Sequence, residues 1–134
     1  MQAIADNTSL HSVYVLDEEG MSNIFTELKQ MLAVQADCHT TLIYFFGDTN
    51  SVYERELEIL QKRYPTQLIL YPLRGKVIDA SPTLQELLEA VINSNTKHRL
   101  IFILSGDEEL IFIASNQLWF LGISKNQIQI CYDK

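Results

Sequence analysis

Short apolar runs alternate with longer amphipathic ones along this chain. Val13-Tyr14-Val15-Leu16 is the first short run, and its β-branched and aromatic content predicts a buried strand. Asp17-Glu18-Glu19-Gly20 then reads as a turn. From Met21 to about Val34 the apolar residues Ile24, Phe25, Leu28, Met31 and Leu32 recur at helical spacing, with Ser22 as the expected cap. Leu42 to Phe46 predicts the second strand and Gly47-Asp48-Thr49-Asn50 its turn. A second helix is expected from about Ser51 to Arg63, with Val52, Tyr53, Leu57 and Leu60 inward and Pro65 as its stop. Leu68 to Tyr71 reads as the third strand, followed by an irregular stretch from Pro72 to Ala80. Ser81-Pro82 opens a third helix, Ser as cap and Pro in the first turn. Leu84, Leu87, Leu88 and Val91 form its apolar face, and Asn93-Ser94-Asn95 ends it. Leu100 to Leu104 is apolar on both faces and predicts a central fourth strand. Ser105 and Glu108, three apart, fit a capping box for a fourth helix. That helix is expected to run to about Leu121 and stop at Gly122. Gln127 to Tyr132 completes the pattern as a fifth strand.

The element order is βαβαβαβαβ, and each crossover is long enough for a helix. The expected fold is therefore α/β: a three-layer, doubly wound, Rossmann-like sheet of five parallel strands. In such sheets ligands bind beyond the carboxyl ends of the strands. The loops at Asp17–Ser22, Gly47–Asn50 and Ser105–Glu108 are accordingly the places to look for chemistry. The chain has 134 residues, 47% hydrophobic and 20% charged, which suits one globular domain with a real core. We expect an N-terminal extension over 1–11 and the domain over 12–134. The formal net charge of -7 argues against nucleic acid and anionic membrane as partners. No apolar run reaches membrane-spanning length, and no signal-peptide pattern opens the chain, so the cytoplasm is the expected compartment.

The carboxyl-end loops resemble the nucleotide-binding half of the ferredoxin reductase family. That family opens this half with a strand and a Gly-Gly-Thr-Gly-Ile-Thr-Pro turn. Here Val13–Leu16 leads into Asp17-Glu18-Glu19-Gly20-Met21-Ser22-Asn23, which keeps the last glycine, an apolar residue and a hydroxyl. Phe46-Gly47-Asp48-Thr49 stands where the family has Tyr-Gly-x-Arg, and Tyr53-Glu54-Arg55-Glu56-Leu57 resembles its next helix. Tyr71-Pro72-Leu73-Arg74 keeps the arginine, without the serine, of a site for an adenosine 2′-phosphate. Ser105-Gly106-Asp107 replaces Cys-Gly-Pro, and Leu121-Gly122-Ile123 matches Leu-Gly-Val. The resemblance runs from about Val13 to the end and implies strand order 3-2-1-4-5. The cofactor-contacting positions it implies are Gly20, Ser22, Gly47, Arg74, Ser105 and Gly106. It implies no catalytic residue, because the family's cysteine near the nicotinamide is Ser105 here.

The departures bear on function. Glycines in a dinucleotide turn let the backbone approach the pyrophosphate on a helix N-terminus. Asp17-Glu18-Glu19 instead sets carboxylates there, each repelling a phosphate charge by about 1–4 kcal/mol at ~4 Å. NAD(P) binding is thus expected to be weak. The residues before Val13 leave no room for a flavin barrel, so flavin is not expected within this chain, and a flavin-binding domain or subunit is the implied partner. The other reading is a non-catalytic relic domain serving an interaction or structural role, with a homo-oligomer as one form. A receiver-like switch ranks behind both, for want of a suitably placed lysine.

Other residues carry two readings each. Asp17, Glu18, Asp48 and Asp107 are either a hard-cation site or acids that favour helix N-termini. His11, His39 and His98 precede adjacent strands, either as a zinc set or as polar residues at strand entries. Arg74 is a nucleotide contact or a surface arginine, and Ser105 a ligand contact or a cap. Cys38 and Cys131 are expected to be free thiols. Leu118, Trp119 and Phe120 divide between core and interface.

Overall fold

A computed structural model of the protein describes residues 10–34, 39–46, 52–95 and 99–131. Its strands are β1 Leu10–Leu16, β2 His39–Phe45, β3 Leu68–Leu73, β4 Arg99–Ser105 and β5 Ile128–Cys131. Its helices are α1 Glu18–Val34, α2 Val52–Arg63, α3 Ser81–Ser94 and α4 Glu108–Phe120. All four strand pairings are parallel, and the order across the sheet is β3-β2-β1-β4-β5. Fold class and strand order are those read from the sequence.

Period-two alternation sorts the strand side chains into two cores. Val13, Val15, Ile43, Phe45, Phe102 and Leu104 meet α3 and α4 on one face. Tyr14, Leu16, Leu42, Tyr44 and Ile103 meet α1 and α2 on the other. β1, β2 and β4 are thus buried on both sides, which is why they read as continuous apolar runs. Each helix contributes the stripe its spacing predicts. Ile24, Phe25, Leu28 and Leu32 are buried from α1, Leu57 and Leu60 from α2, Leu84, Leu88 and Val91 from α3. β3 lies at the sheet edge, where Pro72 costs no ladder hydrogen bond. The strand therefore continues through Pro72 and Leu73, which the sequence reading left irregular.

Several helix starts differ from expectation. Asp17 is the cap of α1, so Glu18, Glu19 and Gly20 are helical rather than a turn. Ser22 lies one turn inside the helix, and its hydroxyl donates to the Glu19 carbonyl at 2.8 Å. At α4 the cap is Asp107, whose side chain accepts from the Leu110 amide at 2.9 Å. Ser105 is the last residue of β4, fully buried, and caps nothing. α3 is preceded by Ala80, without a side-chain cap, so Ser81 is its first residue. At α1 and α4 an aspartate one or two residues beyond the strand takes the role expected of a serine. β5 starts at Ile128, because Lys125–Gln127 forms one 3-10 turn.

Gly122 ends α4 as predicted. Its φ of +90° allows its amide to donate to the Trp119 carbonyl while Ile123 donates to that of Leu118. This pair of bonds closes the helix in a Schellman turn. Among the described residues no helix is long and apolar enough to cross a membrane.

Candidate functional site

The order in which the parallel strands are laid down reverses between β1 and β4. The chain leaves β1 into α1 on one face and leaves β4 into α4 on the other, so the two helix N-termini flank one crevice. Ligands of doubly wound folds bind at such a switch point. The crevice has a volume of about 560 Å³, with Phe45, Phe46, Val77 and Leu110 in its wall. Asp17, Glu18, Glu19, Asp107 and Glu109 line it too, against one lysine, Lys76, among the described lining residues.

Asp17 is the centre of this arrangement. One carboxylate oxygen, Oδ1, accepts the Gly20 amide of α1 at 2.8 Å. The other, Oδ2, accepts the Asp107 amide at the start of α4 at 3.0 Å, across 90 residues of chain. A helix N-terminus offers unsatisfied N–H groups and partial positive charge. Asp17 supplies an internal anion to both helices at once. Glu18 is held beside it by the Tyr44 hydroxyl, which donates to Oε1 at 2.7 Å. Glu18 and Glu19 in α1 and Glu108 and Glu109 in α4 fill the first turns, where negative charge favours the helix.

Two glycines make the docking of Asp17 feasible. A Cβ on Gly20 would stand 1.9 Å from the Ser105 carbonyl oxygen and 3.0 Å from the Gly106 amide nitrogen. α1 therefore rests on the end of β4, backbone against backbone. Gly106 has φ +150°, and a Cβ there would lie 2.6 Å from the Asp17 carboxylate. The sequence placed both glycines at the site but missed Asp17 as its organising residue. The available signal was an acidic residue at a strand end, directly before the acidic first turn of a helix.

The other candidate residues lie as follows. Gly47 and Asp48 fall outside the described residues. Arg74 is exposed at the end of β3, its guanidinium 4.8 Å from the centre of the Phe46 ring, so it borders the crevice wall without lining it. Ser105 pairs in register with Leu16 and Cys131 and does not line the crevice. Its buried hydroxyl has no hydrogen-bond partner. Ser22 is exposed on α1, one turn beyond the crevice residues. His11 and His39 are register partners with rings stacked 6.3 Å apart, at the opposite edge of the sheet. His11 Nε2 and Thr41 Oγ1 are hydrogen-bonded at 2.7 Å; His98 is outside the described residues. Among the described residues no three histidine, cysteine, aspartate or glutamate side chains converge as metal ligands. Cys131 is a free thiol, pushed above its usual pKa by burial and then by Glu27; Cys38 is outside the described residues.

The likeness to solved structures now has a site to attach to. Ferredoxin-NADP+ reductase from Plasmodium falciparum superposes with TM-score 0.73 at 18% identity, over 98% of this chain and 54% of that one. The fold is that of the NAD-binding half of ferredoxin reductases. The CS-b5R domains of human Ncb5or, in the NAD+ form, give TM-score 0.72 at 16% identity, over 91% of this chain and 36% of that one. The flavohem-like FAD/NAD-binding domain of nitric oxide dioxygenase from Vibrio cholerae gives 0.69 at 15%, over 95% and 52%. This chain thus spans about half the length of the reductase structures, or less. No family model matches the sequence. No curated protein matches it either.

The charge at the carboxyl end of this sheet is negative where a dinucleotide fold seats its pyrophosphate. The seat expected for its charge, at the N-terminus of the first helix, holds the Asp17 carboxylate. Four more carboxylates surround it. Asp107 contributes mainly as a cap. Asp107→Ala should cost about 1 kcal/mol, and Asp107→Asn almost nothing, as read by urea denaturation of each variant. Equal losses for the two would show that charge, not the cap bond, matters there.

Proposed function

We propose that this chain is the nucleotide-fold module of a reductase-type oxidoreductase, working beside a flavin-bearing domain or subunit, whose own NAD(P) affinity has fallen to the millimolar range. One observation carries this reading: the Asp17 carboxylate bonded to both the Gly20 and Asp107 amides. A pyrophosphate arriving there meets filled donors and an anion of its own sign. Arg74 and Lys76 are the described cations near the crevice, too few to offset five carboxylates. Gly20 and Gly106 serve this internal contact in place of a cofactor. The solved structures named above are reductases and an FAD/NAD-binding domain, which supports the flavin-bearing partner.

A second reading, a non-catalytic interaction module, is favoured by a separate observation: Phe112, Trp119 and Phe120 are exposed on α4. Melting the chain with NADH and with NADPH distinguishes the two from an ordinary cofactor site. At about 1 mM nucleotide we expect a shift of no more than about 2 °C, whereas a Kd near 10 μM would add about 2.7 kcal/mol and raise the melting temperature by roughly 8 °C or more. A shift of that size would reject the weakened site.

A further inference from the structure

We draw no further inference here: the strongest candidate, the open groove of about 690 Å³ between α1 and strands β1, β4 and β5, lined by Ile24, Met31, Ile101, Ile103 and Cys131 among others, carries nothing, because nothing in the structure shows what covers it.

Discussion

Gly20→Ala is expected to cost about 4 kcal/mol or more and to lower the melting temperature by more than about 12 °C. Alanine is a better helix former than glycine, so propensity alone would predict a gain of about 1 kcal/mol. The close approach reverses the sign. The new methyl would stand 1.9 Å from the Ser105 carbonyl oxygen and 2.4 Å from its carbon. Those are backbone atoms of β4, a strand hydrogen-bonded on both sides, so they cannot swing away as a side-chain tip can. Relief requires lifting the start of α1, which carries buried Met21 and Ile24 and breaks the Asp17 contact. Calorimetric melting of the purified variant measures the effect. A loss under about 3 °C would mean that α1 is not tied to the end of β4 as described.

The second large effect belongs to Asp17→Ala, for which about 3 kcal/mol of stability should be lost. Hydrogen bonds to a charged group contribute roughly 1.5–3 kcal/mol each, and this carboxylate accepts two. Both lie at helix N-termini, where the negative charge is favoured further. Asp17 is half-buried and the Asp107 donor is exposed, while Gly20 is buried, which holds the loss below a simple doubling. Asp17→Asn keeps one good acceptor and should lose about 1 kcal/mol, in line with cap exchanges. Urea titration reads both, with the midpoint moving and the slope constant. If alanine costs no more than about 1 kcal/mol, the loss of a single ordinary cap, the carboxylate is not the shared anion of the two helices.

Most of the fold was legible in the sequence for a simple reason. A parallel strand buried on both faces writes itself as an apolar run, and Val13–Leu16, Leu42–Phe46 and Leu100–Leu104 all did. Gly122 was legible as well, because few residues but glycine close a helix with positive φ. The helix starts were less so. Ser22 and Ser105 are good caps by composition, but capping depends on where the preceding strand ends, and an aspartate follows β1 directly and β4 after Gly106. The site was legible in its location, since Gly20 and Gly106 mark close backbone approach. Its content was not. The sequence shows Asp17 as a charge that repels phosphate, whereas its two amide partners are 3 and 90 residues away, and the second depends on the pairing of β1 with β4. Of the apolar cluster in α4, the helical period alone divides buried Leu118 from exposed Trp119 and Phe120.

The central claim is that Asp17 occupies the seat in which a nucleotide fold holds pyrophosphate. Two-dimensional NMR of the intact chain, titrated with NADPH and with inorganic pyrophosphate, addresses it at the atoms concerned. The account predicts that the Gly20 and Asp107 amide resonances move only gradually and without saturating up to about 1 mM ligand, the concentration at which a site of millimolar Kd is no more than about half filled. Saturable shifts of those two amides at micromolar ligand would contradict it.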